Sequence, residues 1–299
     1  MTVTEREGLF GCRRVVVKVG SSSISGEHAW RIDAIVAAIA AAHGRGTEVV
    51  LVSSGAIATA LPLLKLDGRP DDLATQQASA AVGQNVLMWR YQTSLDRFGI
   101  LAGQVLLTAG DLENATHRSN ARRAMERLLG LRILPIVNEN DTITTEEIRV
   151  GDNDRLAAKV AQMVDARDFI ILTEVDGLYD RHPDEEGAEF IPEVTDVAPF
   201  MEATKGKSTL GTGGMTTKLM AANIAQEAGT TTYIAHGEAD NPLTSVLDGE
   251  RRATKFIAHD TPTSGWEKWI ANRLQMAGSL VISDTLATAL SGDRPIRRE

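Results

Sequence analysis

Short apolar runs alternate along the chain with longer segments in which apolar residues recur every three or four positions. Residues 15–19 (VVVKV) form a β-branched run that stops at Gly20, which is the pattern of a strand buried on both faces. A helical pattern ending at Gly44 follows, and a second apolar run covers residues 48–52. The apolar face of that helix consists of Ile32, Ile35, Val36, Ile39 and Ala40. These residues predict a βαβ unit.

The same alternation continues to residue 235. Helical patterns lie within residues 72–98 and cover 113–129, 153–164 and 215–228, and strand patterns cover 100–106, 132–137, 169–173 and 231–235. Strands that alternate with helices of this length form a mainly parallel sheet covered on both faces. We therefore predict an α/β fold, a three-layer α/β/α sandwich around a mainly parallel central sheet.

The pattern changes near residue 260. Pro262, Thr263, Ser264 and Gly265 are typical of a linker, and fewer than forty residues follow them, too few for a dependable core. We therefore predict one domain over residues 1–260 and a C-terminal linker or tail over residues 261–299.

Composition narrows the class of protein. The 299 residues carry a formal net charge of -9, which argues against a nucleic-acid surface, and Cys12 is the only cysteine, which excludes an internal disulfide and a cysteine-built metal site. The N-terminus lacks the pattern of a secretory signal, and the longest apolar tract, residues 34–42, is far shorter than the ~20 residues that span a bilayer. We expect a cytoplasmic protein without a membrane segment.

Polar clusters follow four of the predicted strands. They are Gly20 to Ser23, Ser53 to Gly55, Asn138 to Asp141, and Thr173 with Glu174. Ligands of parallel α/β sheets bind beyond the carboxyl ends of the strands. The four loops are therefore expected to converge on one ligand site.

Two lysines beside glycine-rich loops indicate a polyphosphate ligand. Lys18 precedes Gly20, and Lys218 ends the segment LGTGGMTTK, whose backbone amides and following helix suit phosphate. A P-loop is excluded because Thr217, not glycine, precedes Lys218. The alternatives are an edge-strand lysine that reaches solvent at position 18 and a flexible loop with a helix cap at Thr212.

Carboxylates and amides form a second candidate cluster. The cluster lies in two segments and consists of Asn138, Asn140, Asp141, Asp152, Asn153 and Asp154. Such residues suit a zwitterionic amino acid, because aspartate accepts from an ammonium group and asparagine donates to a carboxylate. Turn and cap chemistry is the alternative, also for Ser54 and Gly55 as an ordinary helix cap. An EF-hand is excluded because DNDRL lacks the required glycine and terminal glutamate.

Six segments resemble, in order and spacing, those of the glutamate 5-kinases of the amino acid kinase superfamily. They are VVVKVGSSS, VSSGAIA, NENDTIT, VGDNDRLAA, LTEVDGLY and GTGGMTTK, and the resemblance covers residues 13–260. It implies the amino acid kinase fold and ATP-dependent phosphorylation of the γ-carboxylate of L-glutamate to L-glutamyl 5-phosphate, the first step towards proline. Mg²⁺ would arrive on the phosphates of ATP rather than at a protein metal site.

The resemblance also implies residue roles. Lys18 and Lys218 would stabilise the transferring phosphoryl group, and Asp154 would orient both lysines. The implied glutamate-binding residues are Ser54, Gly55, Asn138, Asp141 and Asn153. The implied ATP-binding residues are Lys18, Gly20, Thr173, Glu174, Gly211, Thr212, Gly213, Gly214, Met215, Thr216, Thr217 and Lys218.

Further expectations follow from the family. Its members are commonly homo-oligomers inhibited by proline, and a glutamyl phosphate reductase is a candidate partner. This chain departs from the family pattern at Glu174, where many relatives have aspartate, and at residues 59–61 (TAL). Many relatives also carry a C-terminal PUA domain; we expect this protein to be a short form without it, and therefore expect no RNA binding and an altered assembly or regulation.

Two rival functions stay open at this point. A sister kinase would act on N-acetylglutamate, aspartate, carbamate or UMP, although an N-acetylated substrate has no ammonium group for Asp141. A non-catalytic nucleotide-binding regulator on the same fold would be expected to lack one phosphate-facing lysine, and both Lys18 and Lys218 are present.

Overall fold

The computed structural model describes residues 13–24, 30–143, 153–206, 214–237 and 242–259. Its strands are β1 Arg14–Val19, β2 Glu48–Val52, β3 Ala102–Leu107, β4 Leu134–Glu139, β5 Asp168–Thr173, β6 Leu178–Tyr179, β7 Phe190–Ile191, β8 Glu193–Val194, β9 Thr231–His236 and β10 Thr254–Phe256. Its helices are α1 Arg31–Gly44, α2 Ala56–Ala60, α3 Leu73–Asp96, α4 Ala109–Glu113, α5 Ala115–Gly130, α6 Asn153–Met163, α7 Ala198–Gly206, α8 Gly214–Glu227 and α9 Pro242–Leu247. Every strand and helix predicted from the alternation is present.

Eight strands form one mixed sheet in the order β3-β4-β2-β1-β5-β9-β10-β8. The six strands from β3 to β9 are mutually parallel, and β10 runs antiparallel to β9. The strands β4, β2, β1 and β5 are neighbours, so the four predicted polar loops leave the same edge side by side. The prediction of a mainly parallel sheet with converging loops is confirmed.

Two apolar cores lie on opposite faces of this sheet. Val15, Val17 and Val19 of β1 pack with helices α1, α3 and α9, whereas Val16 packs with α5, α6 and α8. This alternation follows from the two-residue period of a strand, and it repeats along β2, β4 and β5. The architecture is therefore the predicted three-layer α/β/α sandwich.

Several elements were not predicted. They include the antiparallel pair β6 and β7, the edge strands β8 and β10, and helix α7. These strands are only two or three residues long, too short for a hydrophobic period to be visible in the sequence. Among the described residues, no helix is both long enough and apolar enough to span a membrane. The predicted tail lies outside the described residues, and the domain boundary at residue 260 stays a prediction.

Helices α2 and α3 approach each other very closely at Gly83. A Cβ atom added to Gly83 would overlap the carbonyl oxygen of Ala56 and lie 3.1 Å from the amide nitrogen of Ala60. Both neighbours are backbone atoms, which cannot move aside without shifting a helix. Gly83 therefore sets the distance between the helix that begins after β2 and the long helix α3.

We predict that Gly83→Ala destabilises the protein by about 1 to 3 kcal/mol, because the added methyl group must push α2 away from α3. Urea unfolding would measure the change. Gly110→Ala is the matched control, since Gly110 is also helical and the nearest atom to its added Cβ is Thr108 Oγ1 at 3.7 Å. That control should be neutral or stabilising by up to about 1 kcal/mol. Equal effects of the two substitutions would contradict the close approach.

Candidate active site

Lys18 lies in an internal strand and points away from solvent. Strand β1 is flanked by β2 and β5, with Lys18 opposite Val52 and Ile171, and only 7% of the residue is exposed. The edge-strand alternative is therefore wrong. A lysine buried this deeply requires an anionic partner because an unpaired buried charge is very costly.

Asp154 is the partner of both predicted lysines. It lies in the first turn of α6 and is 1% exposed; its Oδ1 pairs with Lys18 Nζ, and its Oδ2 lies 3.4 Å from Lys218 Nζ. Thr217 Oγ1 donates a third contact to Oδ2 at 3.2 Å. Burial alone would raise the pKa of this carboxyl, but the charges and hydrogen bonds of the two lysines outweigh it, and its pKa is lowered.

Helix α8 carries the described part of the glycine-rich segment. It begins at Gly214, places Met215, Thr216 and Thr217 in its first turn, and turns Lys218 back so that Nζ also donates to the Gly214 carbonyl at 3.1 Å. Lys218 therefore lies beside the start of its own helix. Gly211, Thr212 and Gly213 lie outside the described residues, as does the alternative helix cap at Thr212.

The loops after β1 and β2 touch each other. Residues 21–23 form a 3-10 turn in which Ser23 donates its amide to the Gly20 carbonyl, so that amide is not available to a phosphate group. Gly55 has φ +86°, and a Cβ there would lie 3.3 Å from Ser21 Cβ. Glycine at position 55 thus provides both the left-handed backbone and the close approach of the two loops.

An amide network joins the loops after β2 and β4 to α6. Asn153 Nδ2 lies 2.8 Å from the Ser53 carbonyl oxygen, 2.8 Å from Ser54 Oγ and 3.0 Å from Asn138 Oδ1. The structure thus brings together Ser54, Asn138 and Asn153, three of the predicted substrate residues. Gly55, not Ser54, occupies the cap position of α2, and no side chain caps that helix, so the cap alternative for the Ser54 hydroxyl is not supported.

Three residues of this network were not predicted as site residues. Gln84 Oε1 accepts from Asn138 Nδ2 at 2.7 Å, and Ser53 Oγ lies 3.0 Å from the hydroxyl oxygen of the buried Tyr91. Burial raises the pKa of Tyr91 to about 12, so its phenol stays neutral and able to donate. Ser53 was visible in a polar loop, but nothing in the sequence distinguishes Gln84 and Tyr91 from other residues of a long helix.

The remaining predicted residues lie near this edge of the sheet with fewer contacts. Asp141 follows β4 in a turn; burial raises its pKa, and the nearby charge of Arg69 opposes that shift. Asn140 accepts from Thr142 Oγ1 at 2.6 Å, which is ordinary turn chemistry. Thr173 ends β5 and accepts the Gly237 amide at 2.8 Å, while Glu174 is exposed. Asp152 lies outside the described residues.

Phosphate groups fit this arrangement. Two ammonium groups meet at one edge of the sheet beside the start of a helix, which is a favourable environment for polyphosphate. No group of three or more His, Cys, Asp or Glu side chains is placed to hold a metal ion within the ranges that the structure describes.

The fold and the paired lysines define a phosphate-handling α/β protein, and sequence comparison names its family. A model of the amino acid kinase family matches residues 13–236. The chain therefore belongs to the amino acid kinase family.

Several curated relatives are named glutamate 5-kinase. Glutamate 5-kinase of Clavibacter sepedonicus is 63% identical over 232 residues, which cover 77% of this chain and 90% of the relative. That of Leifsonia xyli subsp. xyli is 59% identical over 259 residues, 86% of this chain and 95% of the relative. That of Streptomyces coelicolor is 43% identical over 292 residues, 95% of this chain and 77% of the relative. The resemblance to glutamate 5-kinases is confirmed.

Solved structures confirm the fold. UMP kinase from Ureaplasma parvum aligns with a TM-score of 0.56 at 14% identity, over 82% of this chain and 99% of that chain. Carbamate kinase from Giardia lamblia, bound to AMP-PNP, aligns with a TM-score of 0.61 at 16% identity, over 83% of this chain and 99% of that chain. At these identities the likeness concerns the fold alone.

We predict that Asp154→Ala lowers the free energy of unfolding by about 3 kcal/mol, because it leaves the buried ammonium group of Lys18 and the partly buried one of Lys218 without their counter-ion. Urea unfolding at neutral pH would measure this. Glu113→Ala is the control: it removes an ion pair with Lys159 in which the Glu113 side chain is 64% exposed, and it should cost less than about 1 kcal/mol.

The sign of the pH dependence follows from the lowered pKa of Asp154. Its contribution is complete above the ordinary value of 3.8 and is lost as the pH falls through the lower folded-state value. The stability difference between wild type and Asp154→Ala should therefore shrink in strong acid. A difference that stays constant far below pH 3.8 would show that the lysines do not stabilise the charged carboxylate.

Proposed function

We propose that this protein is a glutamate 5-kinase: it uses ATP to phosphorylate the γ-carboxylate of L-glutamate to L-glutamyl 5-phosphate, the first step of proline biosynthesis. The observation that carries the proposal is the cluster of Lys18, Asp154 and Lys218 beside the amide network of Asn153. Relatives at 58–63% identity that are named glutamate 5-kinase support it. The cluster suits a phosphoryl group, and the network suits an amino acid.

The lysines would supply the charge stabilisation for transfer. A γ-carboxylate oxygen forms the new bond to the γ-phosphorus of ATP while the bond from that phosphorus to the bridging oxygen breaks, and negative charge develops on the oxygens around phosphorus. Lys18 and Lys218 would stabilise that charge from two different structural elements. Asp154 contacts both ammonium groups and would keep them oriented without moving during the reaction.

The amide network would orient glutamate. Ser54 Oγ already accepts from Asn153, so its hydroxyl hydrogen can donate to a substrate carboxylate. Asp141 would accept from the substrate ammonium group, which would also stabilise its charged form against burial. Gly55 and Asn138 complete the proposed substrate site.

ATP would lie across the other loops. Gly20 follows β1, Thr173 ends β5 with Glu174 after it, and residues 214–218 form the start of α8, which carries Lys218. The proposed ATP-binding residues are those inferred from the family motifs: Lys18, Gly20, Thr173, Glu174 and residues 211–218. Mg²⁺ would be bound by the phosphate oxygens of the nucleotide and would neutralise part of their charge.

The rivals are less well supported. A sister kinase for N-acetylglutamate would not use Asp141 as an ammonium partner, and a non-catalytic regulator would not need two lysines paired to one buried carboxylate. We further propose that the protein is a cytoplasmic homo-oligomer, that proline inhibits it, and that its product is used by a glutamyl phosphate reductase. These properties rest on the family alone.

The first experiment would detect the acyl phosphate directly. We expect ATP-dependent formation of a coloured hydroxamate when hydroxylamine traps the product from L-glutamate, and none from N-acetylglutamate, aspartate or buffer. Signal from a different acid would instead indicate a sister kinase of the same family. ATP binding without any signal would favour the non-catalytic regulator.

We predict that Lys218→Ala lowers turnover about 10² to 10³-fold, equivalent to about 3 to 4 kcal/mol, because one preorganised charge donor is lost. Steady-state kinetics at saturating ATP and glutamate would measure it. Lys159→Ala is the control, since this lysine of α6 contacts only Glu113 among the ion pairs found in the described residues. Unchanged turnover in Lys218→Ala would contradict the proposed role of Lys218 in stabilising the phosphoryl group.

A further inference from the structure

Two backbone groups determine how the side-chain amides of the proposed substrate site are oriented. The Ser53 carbonyl can only accept, so the atom of Asn153 that lies 2.8 Å from it is the nitrogen, Nδ2. The Glu139 amide can only donate, so the atom of Asn138 that lies 2.9 Å from it is the oxygen, Oδ1. Asn138 Oδ1 is thereby turned towards Asn153 Nδ2, at 3.0 Å.

The orientation of Gln84 then follows. Asn138 Nδ2 faces α3, where Gln84 Oε1 accepts from it at 2.7 Å. Gln84 is 8% exposed, and its Nε2 is buried without a hydrogen-bond partner in the part of the chain that the structure describes. The hydrogen bond found for this side chain among the described residues is therefore the one that its oxygen accepts from Asn138.

We propose that Gln84 is a positioning residue for the amino-acid substrate: together with the Glu139 amide it holds Asn138 in place, and through Asn153 it thereby reinforces the direction in which the Ser54 hydroxyl donates. The inference rests on the proposed function, because it concerns how that substrate is bound. Gln84 lies in α3 and Asn153 in α6, helices that pack on opposite faces of the sheet, and Asn138 of β4 connects them.

The chain of bonds has one chemical consequence at Ser54. Asn138 is held at Oδ1 by the Glu139 amide and at Nδ2 by Gln84, so it presents its acceptor to Asn153, which in turn donates to Ser54 Oγ. An oxygen that is already accepting leaves its hydrogen for an incoming group. Ser54 is then prepared for a carboxylate rather than for an ammonium group. Without the Gln84 acceptor, only the bond from the Glu139 amide holds Asn138 in this orientation, so the preference at Ser54 is weakened.

Gln84→Met tests the proposal, since methionine nearly preserves the shape but cannot accept the bond. We expect the KM for L-glutamate to rise about 10-fold, with kcat and the KM for ATP changed less than about twofold, because only the orientation of the amino-acid site is altered. A role limited to stability would instead lower the active fraction and leave both KM values unchanged, and that result would overturn the proposal.

Gln92→Met is the matched control on the same helix. Gln92 also bridges α3 to its surroundings, with Nε2 donating to the Ile100 carbonyl at 3.1 Å and Oε1 accepting from the Ala102 amide at 2.9 Å, but it makes no contact with the amide network. It should lose stability without a change in either KM. A rise in the KM for glutamate equal to that of Gln84→Met would contradict a specific role of Gln84.

A double-mutant cycle separates action through Asn138 from direct contact with substrate. If Gln84 acts through Asn138, then adding Gln84→Met to Asn138→Ala should change the KM for glutamate less than about twofold. A full additional increase in the double variant would show that Gln84 contacts the substrate itself and would overturn the positioning role.

An NMR measurement tests the contact without relying on activity. In protein labelled with ¹⁵N-asparagine, the side-chain amide signal that disappears in Asn138→Ala should shift in Gln84→Met and stay in place in Gln92→Met. An unmoved signal in Gln84→Met overturns the proposal. Hydroxamate formation by the wild type separately decides the proposed function, so a failure of that function is distinguishable from a failure of the Gln84 contact.

Discussion

A lysine in an internal strand of a sheet that is buried on both faces can be accommodated only if an anion meets it. Lys18 occupies such a position, and Asp154 provides the anion from the first turn of α6. Helix α6 packs in the same layer as α8, so the carboxylate that compensates Lys18 also receives Lys218. The need to pair the buried Lys18 thus places the start of α6, with Asp154, beside β1. The same carboxylate brings two cations together, although the chain as a whole carries a net charge of -9.

The second half of the site depends on a contact between layers. Asn153, next to Asp154 in sequence, bonds to the ends of β2 and β4, and Asn138 passes that contact on to α3. The two consecutive residues therefore bind different groups. The carboxylate of Asp154 binds the two lysines, and the amide of Asn153 binds the ends of β2 and β4. Any movement of α6 would displace both parts together, which keeps the proposed phosphate site and the proposed amino-acid site at a constant separation.

UMP kinase and carbamate kinase align with this chain over most of their lengths at 14% and 16% identity. The shared sheet explains where a ligand binds, because parallel strands direct their loops to one edge, but it does not choose the acceptor. In the proposed function, that choice lies in side chains such as Ser54, Asp141 and Asn153. The close approach of the loops at Gly55 and of the helices at Gly83 then determines how accurately those side chains are placed.

The sequence by itself determined the alternation of strands and helices, the three-layer fold and the polar loops at the strand ends, because hydrophobic periods of 2 and 3.6 residues and turn chemistry are local signals. It also singled out Lys18 within an apolar strand and Lys218 beside a glycine-rich segment, and the resemblance to glutamate 5-kinases implied the role of Asp154. Only the tertiary structure showed the antiparallel β10, the contact of Gly83 with Ala56 and the roles of Gln84 and Tyr91 in the amide network. The physical reason is distance along the chain: Gln84 and Asn138 are 54 positions apart, and no local period records which residues of a long helix will face the end of a strand.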